Sequence, residues 1–403
     1  MNRLVEFFKL DSVFGRNESK DRQNIDPELE QQYSEAFQNL KQDDLPPEEQ
    51  GDISNAQTEQ YAQQTEEQKQ TLDSLAFTYK NLTIFLIQGD DVLLRNYLTL
   101  EEAMKQKVIT LHETGNVGEL SVDNTSSDYV FIMAGDIVKG GRQDRTISED
   151  IVLSPGSKKV SLKSFCVEQG RWGNRRSESA ANFSSSEYML ANRKLKIAAR
   201  EERRQDKIWE EVENYQCGAG GQLDDDVRSH ISPSSLQLTL ENDKVKESIA
   251  KYVKALQPAF EGKKDVLGFT FFINGKISTV ETFGNASLFG KLQKKLLESA
   301  ALEAFEQYDE SLRFDIPTFS VLQTFMEMAE NGKETVRQTS TFMIEYTKKT
   351  GSSILLRSVN TDAGKAALHT SIYSTEDLLT GRDNNNSGFQ YGGRQRNINR
   401  MRL

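Results

Sequence analysis

The chain has 403 residues and a net charge of −11, with only two cysteines and three histidines. Two thiols exclude a disulfide framework and a four-thiolate zinc site, and the scattered histidines disfavour a His-rich metal centre, so we expect no metal site. No apolar run reaches 18 residues, and charges interrupt the N-terminus before the apolar region of a signal peptide is complete. We therefore expect a cytoplasmic protein without a membrane span.

The negative charge is concentrated in one stretch. Residues 16–75 contain 15 acidic and 5 basic residues, a net charge of −10, together with 12 glutamines and few apolar side chains. Such a stretch buries too little apolar surface to offset the entropy of ordering its backbone, which predicts an acidic, Gln/Glu-rich disordered linker over residues 16–76. The rest of the chain is nearly neutral, so its electrostatic field does not favour nucleic acid.

The two ends of the chain differ in composition from the linker. Within residues 1–15, four apolar residues share one helical stripe: Leu4, Phe7, Phe8 and Phe14. Such a stripe is typical of an amphipathic segment that docks into a groove of a protein partner, and the alternative is an unstructured start. Residues 382–403 hold five arginines and one aspartate around Phe389 and Tyr391. This composition is compatible with weak RNA contact, but a basic disordered tail is favoured.

A folded body is predicted over residues 77–381, and its first half is rich in strands. The run Leu82–Ile87 is β-branched and aromatic and ends at a turn, as a strand does. Thr99 and Glu102 have the spacing of a helix-capping box. Four more strands are predicted between Gly, Asn, Ser and Pro turn signals: Leu120–Val122, Tyr129–Met133, Thr146–Leu153 and Lys159–Val167. Their spacing predicts an antiparallel sheet or sandwich.

The second half begins with a helical middle. The spacing of apolar residues changes from two to 3.6, which predicts helix over Ser184–Glu213 and again over Lys244–Leu256. Asn274-Gly275 predicts a tight hairpin between two apolar strands. Two helices and three closing strands follow: Ser287–Phe305, Ser320–Ala329, Gln338–Glu345, Ser352–Leu356 and Ala366–Tyr373. The whole pattern predicts an α+β fold.

A glycine-rich loop from Gly135 to Arg145 is the first candidate site. It lacks both the phosphate-binding G-x-x-x-x-G-K-[ST] loop and the dinucleotide fingerprint G-x-G-x-x-G. Its glycines still allow backbone N–H groups to turn toward an anion. Arg142 and Arg145, beside the amide of Gln143, supply forked contacts suited to phosphate or carboxylate. The alternative is a hairpin in which Asp and Arg side chains pair with one another.

The turn Cys166–Trp172 is the second candidate site. Cys166 and Arg171 have a C-x4-R spacing rather than the C-x5-R of cysteine phosphatases, so a buried, unreactive thiol is predicted. Glu168 is a candidate general base or ribose-binding group if the strands bring Asp136 alongside it, which makes these carboxylates the candidate catalytic pair. The alternative is an internal Glu168–Arg171 ion pair. The candidate ligand-binding residues of this turn are Gln169, Arg171 and Trp172.

Together these two segments resemble a known family. The loop Gly135-Asp136…Gly141-Arg142-Gln143-Asp144-Arg145 precedes Cys166-Val167-Glu168-Gln169-Gly170-Arg171-Trp172. This pair of motifs is similar to that of the domain family associated with ADP-ribosylglycohydrolases and rhodanese-phosphatases, and the resemblance covers residues 79–373. It implies a role in the metabolism of ADP-ribose or other NAD-derived compounds. Asp144 stands where the family usually has Asn, so a hydrogen-bond donor is replaced by an acceptor.

Two functions are compatible with these residues. The first is binding or processing of an ADP-ribose, NAD-derived or other phosphorylated nucleotide-like metabolite, with Arg142, Arg145 and Arg171 on phosphates and the Trp172 indole on a ring. It predicts a pocket. The second is a non-catalytic interaction module that recruits a protein partner through residues 1–15, and it predicts a salt-bridged corner without a cavity. The sequence shows no nucleophile–base pair and no cofactor motif, and it leaves catalysis, cofactor and oligomeric state open.

Overall fold

The structure is a computed structural model that describes residues 76–173 and 183–376. Three predicted regions lie outside the described residues: the segment 1–15, the linker up to residue 75 and the tail 382–403. The predicted β-rich first half is confirmed, since the described residues between Ala76 and Leu190 form eleven strands. The helical middle and the closing strands are confirmed as well, and the fold is α+β.

The largest sheet has eight antiparallel strands, which come from both halves of the chain. In spatial order they are β1 (Ala76–Tyr79), β2 (Leu82–Gln88), β12 (Val266–Ile273), β13 (Lys276–Phe283), β17 (Ala367–Ser374), β16 (Ser353–Asn360), β15 (Met343–Lys349) and β14 (Lys333–Ser340). The predicted hairpin joins β12 to β13. Asn274 and Gly275 both have positive φ, as a two-residue turn of this sequence requires.

Two smaller sheets come from the first half of the described chain. The six-stranded sheet is antiparallel, in the order β11 (Phe183–Leu190), β7 (Asp136–Gly140), β8 (Arg145–Ile147), β10 (Val160–Cys166), β5 (Glu119–Asn124) and β4 (Ile109–Glu113). The three-stranded sheet has the order β3 (Leu98–Thr99), β6 (Val130–Ile132) and β9 (Ile151–Leu153), with β3 and β6 parallel. The predicted antiparallel pairing therefore dominates, and the first-half strands divide among three sheets.

Seven α-helices lie in the described residues: α1 (Leu100–Lys105), α2 (Arg193–Ile197), α3 (Gln205–Leu223), α4 (Leu236–Leu240), α5 (Asp243–Leu256), α6 (Ala286–Glu306) and α7 (Phe319–Glu330). A π-helical turn, Ala198–Glu202, follows α2, and a 3-10 turn, Gln257–Phe260, follows α5. The predicted capping box is present on α1, where Thr99 and Glu102 each accept a hydrogen bond from the other's backbone N–H.

The apolar core follows the alternation of side chains along the large sheet. On β2, Leu82 and Ile84 face the main core, whereas Phe85 and Ile87 face α7 on the other side of the sheet. Both faces are buried, which accounts for a strand that is apolar at nearly every position. Helices α3, α5 and α6 complete the main core.

Three predicted elements are wrong in type or extent. The predicted helix Ser184–Glu213 begins as strand β11, because this segment pairs with β7 at the edge of the six-stranded sheet and becomes helical only at α2. The predicted strand Thr146–Leu153 is divided into β8 and β9 by Ser148-Glu149-Asp150, whose polar side chains are buried. The predicted strand Gln338–Glu345 crosses the turn between β14 and β15.

Candidate functional site

The β7–β8 turn and the end of β10 meet at one corner of the six-stranded sheet, which we call the polar corner (residues 140–145 and 166–173). Cys166 on β10 pairs directly with Arg145 on β8. In the turn, Gly141 has a φ of +54°, and an added Cβ would lie 2.1 Å from the ring of Phe183. Glycine therefore fits this turn, whereas any larger residue must displace the ring and adopt a left-handed backbone.

Arg171 and Glu168 form the base of the polar corner. Arg171 Nε donates to Glu168 Oε2 at 2.6 Å, and Glu168 is fully buried. The other guanidinium nitrogens donate to four further acceptors: the carbonyl oxygens of Gly140, Gly141 and Gly173, and Asp144 Oδ1. The Glu168–Arg171 ion pair is thus present, and every guanidinium nitrogen of Arg171 already has an acceptor.

Asp144 joins this base to the helical middle. Its Oδ1 accepts from the N–H of Gly140 at 2.9 Å, and its Oδ2 accepts from the hydroxyl of Ser235 at 3.0 Å. Ser235 is also the residue that caps α4. Both carboxylate oxygens of Asp144 therefore accept hydrogen bonds, which accounts for an acceptor at this position.

Two arginines of the polar corner lie against the Trp172 indole. The guanidinium carbons of Arg142 and Arg145 are 5.3 and 5.7 Å from its ring centroid. Trp172 is 46% exposed and Arg142 is exposed, whereas Arg145 is fully buried. Arg145 Nη1 donates to Gln143 Oε1 at 3.0 Å, but Nε and Nη2 have no hydrogen-bond partner among the described residues. Burial lowers the pKa of Arg145, although Glu113, 3.6 Å from Nη2, opposes this change.

A surface cleft of about 490 Å³ begins beside Gln169. The backbone carbonyl of Gln169 accepts from the Ser234 hydroxyl at 2.5 Å, which fixes the turn against the segment before α4. Trp209 lines the cleft together with three acidic residues and one arginine: Asp206, Glu210, Glu213 and Arg228. A cavity therefore exists beside the polar corner, but the acidic side chains of its lining make it unfavourable for a phosphate.

Asp136 lies apart from Glu168. It begins β7, whereas the Arg171 guanidinium contacts Gly140 at the other end of this strand, about 13 Å away at 3.3 Å per residue. Asp136 Oδ1 accepts from Lys295 Nζ of α6 at 3.1 Å, and its other oxygen accepts from a backbone N–H. The strands therefore place the two candidate catalytic carboxylates in different environments, each with its own cationic partner.

The thiol of Cys166 is enclosed by the same corner. It is buried, and Sγ donates to the carbonyl oxygen of Glu168 at 3.0 Å. Burial raises the pKa of this thiol, so the nucleophilic thiolate is disfavoured at neutral pH.

A second polar group, which the sequence reasoning missed, lies inside the protein between the large sheet and the π-helical turn. We call it the interior charge cluster, and its members are all buried: Asp150, Lys196, Arg200, Glu281, Glu345 and His369. The two ring nitrogens of His369 each lie 2.8 Å from a carboxylate oxygen, of Asp150 and of Glu281. Arg200 donates to Asp150 at 3.3 Å and to Glu345 at 2.8 Å, and Lys196 donates to Glu281 at 2.9 Å.

The electrostatics of this cluster favour the charged forms. Burial disfavours the ionised form of Asp150, yet Arg200 and His369 outweigh burial and hold its pKa well below the usual range. Burial likewise opposes ionisation of Glu281, but Lys196 and His369 lower its pKa to about 2. Burial also disfavours the charged form of His369, and the two carboxylates overcome this and raise its pKa. Three cations therefore balance three anions within the cluster.

Ser371, His369 and Asp150 lie next to one another in the order nucleophile, base and orienting carboxylate. Ser371 Oγ lies 3.2 Å from His369 Nε2, but it donates to Glu281 Oε2 at 2.6 Å. Glu281 thus engages both the hydroxyl and the imidazole, and all four side chains are buried. Because no substrate reaches a buried hydroxyl of this kind, the cluster supports the fold and does not act as a nucleophilic site.

A sequence signal for the cluster does exist. Glu281 and His369 lie inside strand-forming runs, residues 277–283 and 367–374, whose other residues are apolar or carry hydroxyl groups. A charge buried in such a run is tolerated only when it is paired, so each predicts a buried partner of opposite charge. The partner on another element, Lys196 for Glu281 or Asp150 for His369, cannot be identified from the same run.

These features define an α+β protein with an arginine-based polar corner that carries an exposed Arg142–Trp172 face next to a cleft. Within residues 76–173 and 183–376, no three His, Cys, Asp or Glu side chains are grouped so as to hold a metal ion. In the part of the chain that the structure describes, no helix combines the length and apolar character needed to cross a membrane.

The chain belongs to the family of ARG and Rhodanese-Phosphatase-superfamily-associated Protein domains, whose model matches residues 52–373. This confirms the resemblance seen in the two motifs, and the match begins at residue 52 rather than 79. The family is associated with ADP-ribosylglycohydrolase and rhodanese-phosphatase proteins, which is compatible with a nucleotide-related role. No curated protein and no solved structure matches the chain.

Proposed function

We propose that the protein binds a phosphorylated nucleotide-like metabolite, of the ADP-ribose or NAD-derived kind, at the Arg142–Trp172 face. One observation carries this proposal. An indole that is 46% exposed and an exposed guanidinium 5.3 Å from its centroid are presented by a corner whose base consists of buried ion pairs. A rigid base holds both groups in place before a ligand arrives, which reduces the entropy lost on binding.

The chemistry of this face suits both parts of such a ligand. A half-exposed indole stacks on the face of a purine or pyridine ring. A guanidinium offers paired donors to phosphate oxygens, and Arg142 is the exposed one. Arg145, which is fully buried and 5.7 Å from the same ring centroid, adds a second positive charge beneath this surface.

Binding is better supported than catalysis at this corner. Glu168 Oε2 already accepts from Arg171 and from the N–H of Asp144, and Asp136 is bonded to Lys295. Neither carboxylate therefore faces the Arg142–Trp172 face as a free base. The guanidinium of Arg171 is saturated as well, so the phosphate contact is assigned to the exposed Arg142, and the buried Arg145 contributes its charge alone.

Calorimetric titration of the full chain with ADP-ribose, NAD, ADP and inorganic phosphate tests this proposal. We expect the nucleotides to bind, and Trp172→Ala and Arg142→Ala each to weaken binding at least about tenfold, or about 1.4 kcal/mol. Arg204→Ala is the matched control, because Arg204 is an exposed arginine paired with Asp206 away from Trp172. Equal affinities of wild type and both variants would contradict the proposal. Binding heat with inorganic phosphate but with none of the nucleotides would contradict it as well.

A second candidate is the non-catalytic interaction module that recruits a partner through residues 1–15. The saturation of Arg171 favours it, since a side chain with all its donors occupied serves as architecture. The same titration separates the two candidates. The interaction module is supported if none of the four compounds gives a binding signal and Arg171→Ala loses much of the protein's stability.

A further inference from the structure

A groove between α5 and α6 is distinct from the polar corner. Its volume is about 520 Å³, and it runs along α5 and the 3-10 turn that follows, with α6 on the other side. The apolar part of its lining is Ile249, Ala250, Val253 and Pro258. Three lysines and one exposed glutamate lie along its rim: Lys246, Lys254, Lys294 and Glu261. The groove thus combines an apolar floor with a predominantly basic rim.

Glu298 of α6 lines this groove with a carboxyl oxygen that lacks a hydrogen-bond partner among the described residues. The residue is only 7% exposed, and the oxygen concerned is Oε2. The nearest cation, Lys294 Nζ, is 3.8 Å from the other carboxylate oxygen, and burial raises the pKa of Glu298 to about 7. A buried carboxyl oxygen without a hydrogen-bond partner is unfavourable, so a polar group in the groove would satisfy Oε2.

The N-terminal stretch of the chain contains a segment with matching properties, residues 27–41. Its apolar side chains recur at intervals of four, four and three: Leu29, Tyr33, Phe37 and Leu40. In a helix this spacing places them on one face, and Glu30 lies on the flank of that face, whereas Glu28 and Glu35 lie on the opposite side. Eleven residues of helix rise about 17 Å, which is the distance along α5 from Lys246 to Gln257.

The position where the described chain begins places this segment within reach of the groove. Ala76 starts β1, and Tyr79 of β1 packs edge-on against Tyr252 of α5 with 5.1 Å between ring centroids. The 34 residues between Lys41 and Ala76 span at most about 110–120 Å, several times the length of the groove. A covalent tether of this length raises the effective concentration of the segment at the groove.

We propose that residues 27–41 of the same chain bind in the α5–α6 groove, with the Tyr33–Phe37 face on the exposed apolar residues Ala250 and Pro258. Glu30, on the flank of this face, then lies toward the lysines of the rim, and a hydroxyl or amide of the segment reaches Glu298. This contact does not depend on the ligand proposed for the polar corner. It assigns to part of the acidic stretch a binding role within its own molecule.

A photo-crosslinker tests the contact in the full chain. We would place p-benzoylphenylalanine at Ala250, which is exposed and lines the groove, and as a matched control at Ala255. Ala255 is also exposed on α5 but lies about 140° away around the helix axis. After irradiation and trypsin digestion, we expect the probe at position 250 to capture the peptide Gln23–Lys41, and the probe at position 255 to capture at least tenfold less.

Two variants and one mixing experiment sharpen this test. Phe37→Asp should reduce capture at position 250 at least tenfold, whereas Phe14→Asp, in the other apolar N-terminal segment, should leave it unchanged. In an equal mixture of isotopically labelled and unlabelled chains, the two peptides of each crosslink should both be labelled or both be unlabelled. Capture of a different peptide, equal capture from positions 250 and 255, or crosslinks between labelled and unlabelled copies would overturn the proposal.

Discussion

His369 Nδ1 lies 2.8 Å from Asp150 Oδ2, although the two residues are 219 positions apart in the chain. Asp150 precedes β9 of the three-stranded sheet, and His369 is on β17 of the large sheet. Arg200 reaches the same aspartate from the π-helical turn. Buried charges therefore link the three-stranded sheet, the large sheet and the π-helical turn at this point. The contribution of the contact to the free energy of unfolding depends on whether His369 is protonated.

We expect His369→Gln to destabilise the protein strongly. The substitution removes the cation between Asp150 and Glu281, and loss of one partner from a buried ion pair typically costs about 3–5 kcal/mol. Urea unfolding at pH 6 measures the change. His112→Gln is the matched control, since His112 is exposed and pairs with Asp123 at the surface, where about 0–1 kcal/mol is expected.

The same cluster determines the pH dependence of stability. The pKa of His369 is raised, so its contribution is complete below its usual value of 6.5 and is lost as the pH rises through the folded-state pKa. Glu281, with a pKa lowered to about 2 from 4.5, contributes fully above 4.5 and loses its contribution as the pH falls toward 2. The deficit of His369→Gln should therefore shrink between pH 6 and pH 9, and a constant deficit would contradict a charged His369.

Arg171→Ala tests whether the base of the polar corner is architectural. The variant leaves Glu168 buried without its cation and frees three carbonyl oxygens, so we expect a loss of about 3–5 kcal/mol in urea unfolding. Arg204→Ala removes an arginine from an ion pair in which both side chains are 61% exposed, and it should cost less than about 1 kcal/mol. A loss in Arg171→Ala as small as in this control would show that the corner folds without its arginine.

Sequence reasoning predicted the elements whose pattern is local. Helices α5 and α6 were expected to within one residue because their apolar side chains recur every three to four positions. The Asn274-Gly275 hairpin was expected because few other residue pairs tolerate two positive φ angles in succession. Strand β11 was missed because its strand character comes from pairing with β7, a partner more than 40 residues earlier in the chain.

The two charged sites were predictable to different degrees. Glu168 and Arg171 are three residues apart, so their ion pair was among the alternatives considered from the sequence. The catalytic pairing of Asp136 with Glu168 depended on the strands bringing the two together, and strand geometry places Asp136 at the end of β7 away from the Arg171 contact. The interior charge cluster joins residues such as Asp150 and Glu345 that are nearly 200 positions apart, and only the packing of the large sheet, the three-stranded sheet and the π-helical turn reveals it.

Gly141→Ala tests the close approach that shapes the β7–β8 turn. The new Cβ would lie 2.1 Å from the Phe183 ring, and the backbone at φ +54° disfavours any L side chain. The left-handed backbone contributes about 1–2 kcal/mol and the steric conflict about 1–3 kcal/mol, so we expect a loss of about 2–5 kcal/mol in urea unfolding. Gly170→Ala separates the two effects, because Gly170 has a φ of +85° with no atom within 4 Å of the added Cβ. It should show the backbone contribution alone, and equal losses in the two variants would mean that the Phe183 ring moves aside freely.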